Sequence, residues 1–284
     1  MLPFKADRER EAMTANMMRD QQMLKHLATD YHRDGFITGI PIISEAEADH
    51  HRTRMEDAEA QIGSLHYRSK AHTILTSPWE LATSKPVLDI IEALIGPDIL
   101  LYNVTYIIKE PQSLSHVSWH QDLTYWGLSH DDQVSMWLAL SVADELSGCM
   151  RMIPGSHHNG RQKHDITEDD TNVLFQGQTV REVSEDNAAL CPLAPGEASF
   201  HHGWTLHASM PNHSKDRRIG LNVQYLAAHV RQTKRDLDTA MLVRGEDRYH
   251  HFGTDSPALT DLDPAALQHQ AELEQRHKDI AGSD

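Results

Sequence analysis

A series of strand-like runs in the middle of the chain restricts the fold more than any other feature of the sequence. Residues 99–109 are β-branched and aromatic, and shorter runs of this kind recur at residues 133–142, 198–200 and 219–227. Polar segments containing Pro or Gly connect these runs, and no regular helices intervene. A parallel βαβ fold needs such helices, so the pattern predicts a mainly β fold with flanking helices, of the jelly-roll type.

Helical patterns lie on both sides of these runs. Residues 7–33 lack Gly and Pro, which predicts a long helix that ends before Gly35. A capping-box pattern predicts a polar helix over residues 44–62, and apolar residues at helical spacing predict another over residues 86–95. An Asp-Pro pair opens a final helix over residues 263–280, in which we identify no obvious chemistry.

We interpret residues 1–284 as one domain. Residues 1–98 are expected to be mainly helical, residues 99–230 to form the jelly-roll core, and residues 231–284 to form a C-terminal helical extension. Residues 157–190 are polar and weakly periodic. A connection of that length in a compact domain is usually functional, so we predict that it acts as a lid.

The charge balance points to a small-molecule substrate. Forty-two acidic against 26 basic residues give a formal net charge of −16, which opposes binding to nucleic acid or to anionic membranes. No apolar run approaches the roughly 18 residues of a membrane span. The N-terminal residues are charged and lack the apolar core of a secretion signal, so we predict a cytoplasmic protein. The sequence leaves open whether the protein forms a homo-oligomer.

Cysteine and histidine usage restricts the kinds of metal site. Cys149 and Cys191 are the two cysteines, and no CxxC pair occurs, which predicts free buried thiols in place of a disulfide framework or a thiolate zinc site. Histidines are numerous, with 21 in the chain. A histidine is therefore a convincing ligand only where its neighbours and its spacing agree.

One short run of residues has the neighbours and the spacing of a metal site. In Trp-His-Gln-Asp, His120 and Asp122 are two residues apart, and on an extended strand both would face one ion. The third ligand must come from elsewhere, and His201, His202 and His207 are the downstream candidates. Two imidazoles and one carboxylate leave metal positions open, which is how non-heme Fe(II) oxygenases admit a cosubstrate and O2.

Two adjacent arginines follow these histidines. Arg217 and Arg218 would face opposite sides of a strand, so only one can enter the barrel. A guanidinium matches a carboxylate with two parallel hydrogen bonds. Gly220, Asn222 and Gln224 share the face of Arg218, which predicts a polar interior wall on that side of the strand.

These motifs together resemble the phytanoyl-CoA dioxygenase family of Fe(II)/2-oxoglutarate oxygenases, over roughly residues 30–230. The resemblance rests on the Trp-His-Gln-Asp run, on the His-Ala-Ser-x-Pro-Asn-x-Ser run at His207, and on Arg218, which follows eleven residues later. It also includes residues 31–36, 137–140 and 148–157. It implies His120, Asp122 and His207 as the catalytic iron ligands, and Arg218 as the residue that binds the far carboxylate of 2-oxoglutarate.

The same resemblance implies a double-stranded β-helix (jelly roll, cupin-like) and an activity. A small-molecule C–H bond would be hydroxylated or otherwise oxidised, with Fe(II), 2-oxoglutarate and O2 as cofactor and cosubstrates, and with release of succinate and CO2. Related enzymes that halogenate lack the carboxylate ligand, so Asp122 favours oxidation. From their positions, we predict that Asn103 contributes to cofactor binding and that Trp126, Tyr125 and Gln224 bind substrate.

Two other functions use the same residues. Two histidines and one carboxylate also make a catalytic zinc site, so a zinc-dependent hydrolase is one alternative. In that enzyme Arg218 would have no assigned task. A noncatalytic metal- or ligand-binding β-barrel is the other alternative. Metal content and turnover of 2-oxoglutarate distinguish the three functions.

Overall fold

The structure is a computed structural model, and it describes residues 21–174, 178–235 and 237–282. Part of the long helix predicted over residues 7–33 lies outside the described residues. Its described portion is helical over residues 21–34, and we name it α1. The other helices of the described part are α2 (Glu45–Ile62), α3 (Thr76–Ala82), α4 (Lys85–Ile95), α5 (Leu123–Trp126) and α6 (Pro264–Ala281), with short 3-10 turns at Ala71–Thr73 and Ser156–Asn159.

The strands form two sheets. The larger, seven-stranded sheet has the order β1-β7-β4-β9-β2-β10-β11, and the smaller, four-stranded sheet has the order β3-β8-β5-β6. Neighbours pair antiparallel, except that β10 and β11 are parallel. The strands are β1 (Phe36–Pro41), β2 (Ile99–Lys109), β3 (Val117–His120), β4 (Gln133–Ala139), β5 (Met150–Met152), β6 (Ala189–Cys191), β7 (Glu197–His202), β8 (His207–Ser209), β9 (Arg218–Ala227), β10 (Thr239–Arg244) and β11 (Gly253–Thr254).

Three of the predicted helices are confirmed. At the start of α2, the Ser44 hydroxyl accepts a hydrogen bond from the backbone N–H of Glu47, and the Glu47 carboxylate accepts one from the backbone N–H of Ser44 at 2.8 Å. This is the predicted capping box. Helix α4 buries the apolar face that its spacing indicated, and α6 begins at Pro264 behind the N-cap Asp263.

The main core lies between the helices and one face of the larger sheet. Val87 and Ile91 of α4 belong to the same buried cluster as Val104 of β2 and Val223 of β9. Alternate residues of β2 and β9 point to the opposite face, where they meet the smaller sheet around a cavity. The helices therefore cover one face of the large sheet and leave the other for the site.

The larger sheet extends beyond the expected core of residues 99–230. Strand β1 precedes that region and pairs with β7, whereas β10 and β11 follow it and continue the sheet from β2. The C-terminal segment is therefore not only helical, because β10 closes over the edge of β2 before α6 begins.

Two further findings bear on the sequence analysis. Cys149 and Cys191 are buried and unpaired, as predicted. Among the described helices, none combines the length and the apolar character that crossing a membrane requires.

Candidate metal centre

The structure brings His120, Asp122 and His207 together between the two sheets. One ligand atom from each lies within 4.8 Å of the others. His120 ends β3 and faces His207, which begins the neighbouring strand β8. The Oδ1 atom of Asp122 is 3.5 Å from Nε2 of His120 and 3.6 Å from Nε2 of His207. Ligands from two strands therefore meet at one point.

The route by which Asp122 reaches this point differs from the predicted one. Strand β3 ends at His120, and Asp122 has helical backbone angles, φ −57° and ψ −46°, as the residue before α5. A turn, and not an extended i, i+2 pair, directs the carboxylate to the imidazoles. Gln121 turns away from the site and donates to the carbonyl oxygens of Gly160 and Trp204 at 2.8 and 2.7 Å.

Backbone carbonyl groups fix the orientation of both imidazoles. Nδ1 of His120 lies 2.9 Å from the carbonyl oxygen of Ser118 and 3.0 Å from that of His207, and Nδ1 of His207 lies 3.0 Å from that of Thr205. A carbonyl oxygen only accepts hydrogen bonds, so Nδ1 carries the hydrogen in each ring. The Nε2 lone pairs are therefore directed to the point shared with Asp122, and the donor set fits a divalent transition metal.

The protonation states suit a metal as well. Burial alone would raise the pKa of Asp122, but the proximity of His120, His201 and His207 holds that pKa well below its usual range. Burial, together with the neighbouring rings of His120 and His201, lowers the pKa of His207 well below its ordinary value. The carboxylate is thus ionised and the imidazole neutral near pH 7, and these are the forms that bind a metal ion.

The competing histidines have other partners. Nε2 of His201 lies 3.3 Å from Oδ2 of Asp122, and the Ser135 hydroxyl donates to the same oxygen at 2.8 Å. Ser135 and His201 face each other across β4 and β7, so together they hold the carboxylate with Oδ1 toward the ligand histidines. His202 points the other way, with Nε2 3.9 Å from Asp131. The sequence analysis did not assign this supporting role to Ser135 and His201.

A cavity of about 330 Å³ opens beside the three ligands. All the other residues that the sequence analysis placed in the site also line it. They are Asn103, Tyr125, Trp126, Arg218 and Gln224.

Arg218 is buried at one end of this cavity, where its side chain is 1% exposed. Among the described residues no carboxylate pairs with it, and its Nε has no hydrogen-bond partner. Its guanidinium lies 4.9 Å from the ring centre of Trp137. Burial lowers the pKa of Arg218 to about 10, so the group is still charged at pH 7. Arg217 faces outward and pairs with Glu59 and Glu110 at 2.8 and 2.9 Å.

Lys109 lies opposite Arg218 in the pairing of β2 with β9. Its Nζ donates to the Ser209 hydroxyl at 2.7 Å and to the carbonyl oxygen of Met210. Burial, reinforced by the charge of Arg218, lowers the pKa of Lys109 to about 6. The charged form of Lys109 is therefore disfavoured, and Arg218 is the stronger positive charge at this end.

Asn103 lies at the other end of the same strand pair, opposite Gln224. Its Oδ1 accepts backbone N–H bonds from Lys70 and Val104 at 2.8 and 2.9 Å. Asn103 thus lines the cavity opposite Gln224, which is six residues along β9 from Arg218, and its part in cofactor binding stays a prediction.

Several lining residues escaped the sequence analysis. Helix α6 contributes His277 and Lys278, although it was assigned no chemistry. Tyr67 also lines the cavity, and its φ of 57° is uncommon for a residue with a side chain. No local pattern could have revealed either, because both segments reach the cavity only by packing against distant strands.

The predicted lid also borders the cavity. Val173 and Leu174, within residues 157–190, line it. This connection is tied to the rest of the protein by a bridge between Asn172 and His116. Residues 175–177 lie outside the described part of the chain. Closure of this segment over a ligand stays a prediction.

Comparison with known proteins gives consistent matches. The family model "Phytanoyl-CoA dioxygenase (PhyH)" matches residues 23–220. A probable alpha-ketoglutarate-dependent hypophosphite dioxygenase of Stutzerimonas stutzeri is 31% identical over 157 residues, which is 52% of this chain and 52% of that protein. The peroxisomal phytanoyl-CoA dioxygenase of Homo sapiens is 27% identical over 153 residues, or 51% of this chain and 45% of that protein. The chain thus spans about half the length of the curated relatives it matches.

Solved structures match over more of the chain. The apo form of the non-heme monooxygenase ThoJ superposes with a TM-score of 0.79 at 27% identity, covering 90% of this chain and 97% of that one. The epimerase SnoN, solved with Fe3+, alpha-ketoglutarate and nogalamycin RO, gives a TM-score of 0.63 at 20% identity, covering 75% of this chain and 86% of that one. At 20% identity, the match to SnoN shows a similar fold and nothing about activity.

Proposed function

The chain belongs to the phytanoyl-CoA dioxygenase family, and we propose that it is an Fe(II)- and 2-oxoglutarate-dependent dioxygenase that oxidises a C–H bond of a small molecule. Its two sheets would form the double-stranded β-helix, or jelly roll, expected from the sequence. The observation that carries the proposal is Arg218, a buried guanidinium that lies in the cavity of the three candidate ligands and has no carboxylate partner within the described part of the chain.

His120, Asp122 and His207 would hold the iron. Three protein ligands leave positions for the keto acid end of 2-oxoglutarate and for O2. Bound there, the iron supplies the oxidation of the substrate while 2-oxoglutarate is converted to succinate and CO2. Ser135 and His201 keep the Asp122 carboxylate in place, and backbone carbonyl groups keep both Nε2 atoms directed at the metal.

Arg218 would bind the distal carboxylate of 2-oxoglutarate. A buried charge without a partner is costly, and a carboxylate bound by two parallel hydrogen bonds offsets that cost. Trp137 packs over the guanidinium and restricts its orientation. The lowered pKa of Lys109 disfavours a second positive charge, so Arg218 would be the main charge for one carboxylate at this end.

Tyr125, Trp126 and Gln224 would contact the substrate beyond the metal and exclude water from it. The cavity of about 330 Å³ must also hold 2-oxoglutarate, so the reacting part of the substrate is small. Asp122 occupies the metal position that halogenating relatives leave free, which favours addition of oxygen or removal of hydrogen as the outcome.

The direct test is a metabolite screen scored by release of succinate. We expect succinate to form from 2-oxoglutarate only with Fe(II) and O2, and to form faster with the correct substrate. Protein loaded with Zn²⁺ should release none. Hydrolysis by the zinc form without consumption of 2-oxoglutarate would favour the zinc hydrolase instead. Metal binding without any turnover across the screen would favour a noncatalytic barrel.

A further inference from the structure

One oxygen of the Asp122 carboxylate is held by side chains of the larger sheet. The three candidate metal ligands come from the smaller sheet and from the turn between β3 and α5, but the side chains that contact Oδ2 of Asp122 belong to β4 and β7. The Ser135 hydroxyl lies 2.8 Å from this oxygen, and Nε2 of His201 lies 3.3 Å from it. Ser135 and His201 are 0% and 1% exposed, so both contacts are shielded from competing water.

Both of these contacts have their hydrogen directed toward Asp122. The amide nitrogen of Gln133, which only donates, lies 2.9 Å from the Ser135 hydroxyl. The single hydrogen of that hydroxyl is therefore free for the carboxylate oxygen, which only accepts. For the same reason Nε2 of His201 bears a hydrogen where it faces Oδ2. This oxygen thus accepts two hydrogen bonds.

His201 lies beside the candidate ligands, but it is oriented as a hydrogen-bond donor. Its ring centre is 4.6 Å from that of His207. A ligand nitrogen needs its lone pair directed at the metal, whereas Nε2 of His201 carries a hydrogen that is directed at Asp122. Within the described part of the chain, the group that could hold a metal ion does not include His201. His201 therefore supports a ligand and does not add a fourth one.

The hydrogen bonds on Oδ2 restrict how Asp122 can bind a metal ion. A carboxylate binds metal ions through one oxygen or through both. Oδ1 is the oxygen that lies 3.5 and 3.6 Å from Nε2 of His120 and His207. Binding through Oδ2 as well would break charge-assisted hydrogen bonds to this oxygen. One donor atom from each ligand leaves an octahedral ion the positions that the keto acid end of 2-oxoglutarate and O2 require, and an extra carboxylate oxygen would fill one of them.

We propose that Ser135 and His201 are positioning residues that keep one metal position open for O2, because they hold Oδ2 of Asp122 away from the ion. This inference rests on the proposed function, since it concerns the metal of the same site. It extends the metal centre from its three ligands to two side chains of the larger sheet. In the opposing interpretation the two side chains only pack beside Asp122, and their loss would weaken metal binding in general.

Nitric oxide separates these interpretations, because it binds Fe(II) at the position that O2 would use. The full chain is loaded with Fe(II) and saturated with 2-oxoglutarate without oxygen, and the affinity for nitric oxide is measured by electron paramagnetic resonance. Ser135→Ala and His201→Phe should each bind nitric oxide about tenfold more weakly, as the loss of one charge-assisted hydrogen bond on Oδ2 predicts. Their affinities for Fe(II) and 2-oxoglutarate should stay close to those of the unaltered protein, because Oδ2 then adds a contact to the metal.

Two further variants act as controls. His201→Gln should retain much of the affinity for nitric oxide, because the glutamine amide supplies an N–H donor near the position of Nε2. Ser199→Ala removes another buried hydroxyl from the same face of β7, but this hydroxyl has no hydrogen-bond partner among the described residues. It should therefore leave the binding of nitric oxide unchanged.

Two results would overturn the inference. The first is unchanged affinity for nitric oxide in either Ser135→Ala or His201→Phe. The second is a loss of Fe(II) affinity while the loaded fraction binds nitric oxide normally, which is the result that simple packing predicts. Failure of the unaltered protein to bind 2-oxoglutarate with Fe(II) would count against the proposed function itself. Normal binding of 2-oxoglutarate with either of the two results would count against the positioning role alone.

Discussion

The cavity has two halves that are built in different ways. The strand-built half comes from β2 and β9, where Thr105, Asn222 and Arg218 alternate with core residues along regular ladders. The docked half comes from the segment Tyr67–Ser69 and from α6, which are far apart in sequence and meet only in the folded protein. The strand-built half thus depends on hydrogen bonds of the sheet, whereas the docked half depends on a few specific side-chain contacts.

The docked half is held by a buried ion pair. The ammonium of Lys70 donates to Asp255 at 2.8 Å and to the carbonyl oxygens of Thr239 and Tyr102 at 2.7 and 2.5 Å. Lys70 is 1% exposed and directly follows Ser69, so this pair fixes the segment that faces α6. One pair therefore joins the cavity wall to β10 and to the edge of the larger sheet.

The largest effect is expected in the metal centre, which the smaller sheet and the turn before α5 supply to the same cavity. His207→Ala should abolish turnover of 2-oxoglutarate and weaken Fe(II) binding, because it removes one of three protein ligands. His202→Ala should keep both, since His202 faces Asp131. Metal analysis and succinate release measure these effects. Loss of iron in His202→Ala but not in His207→Ala would reverse the assignment of the third ligand.

The next effect should appear in the docked half. Asp255→Asn leaves the ammonium of Lys70 buried without its counter-charge, which should lower the free energy of unfolding by about 3–5 kcal/mol. Lys85→Met is the control, since it breaks a pair with Asp89 in which the lysine side chain is 81% exposed, and should cost at most about 1 kcal/mol. Urea unfolding measures both. Equal losses would show that the buried pair does not anchor this half.

A smaller effect is expected on the stability of the protein at acidic pH, through His72. Burial, together with the charge of Lys70, lowers the pKa of His72 from 6.5 to about 3. Below about pH 6.5, His72 binds a proton in the unfolded chain but stays neutral in the folded protein. Its contribution to the free energy of unfolding is therefore fully present above that pH and is lost progressively as the pH falls toward 3. Between pH 7 and pH 5, protonation of His72 in the unfolded chain should lower the free energy of unfolding by about 2 kcal/mol.

His72→Leu should remove that part of the decline, whereas His250→Leu, at a side chain 81% exposed, should leave the decline unchanged. The measurement is the free energy of unfolding at both pH values. Parallel declines in the His72→Leu variant and the unaltered protein would contradict the assignment.

The same contrast explains how much of the fold the sequence reveals. Strands β7, β4, β9 and β2, which the sequence patterns predicted, are adjacent in the larger sheet. Strands β5, β6 and β8 have three residues each, too few for an alternation of apolar and polar side chains to be recognised. Strand β10 pairs with β2 through contacts between distant segments, and such pairing leaves no local pattern.

The site follows the same division. Arg218, Asn222 and Gln224 could be placed on one face because a strand repeats every two residues. Asp122 could be recognised as a ligand from the sequence. The helical turn that directs its carboxylate to the two imidazoles could not be recognised. His277 could be placed on a helix, but its contact with the Asn103 amide at 3.4 Å could not be predicted, because the two residues meet only in the folded structure.

The most direct test of the account is the affinity for 2-oxoglutarate of two neighbouring variants. In anaerobic calorimetric titrations of Fe(II)-loaded protein, Arg218→Ala should lose roughly 1.5–3 kcal/mol of 2-oxoglutarate binding free energy, because a charge-assisted pair is removed. Arg217→Ala should bind as the unaltered protein does, since Arg217 pairs with Glu59 and Glu110 at the surface. Unchanged affinity in Arg218→Ala would contradict the assignment of the cavity as a 2-oxoglutarate site.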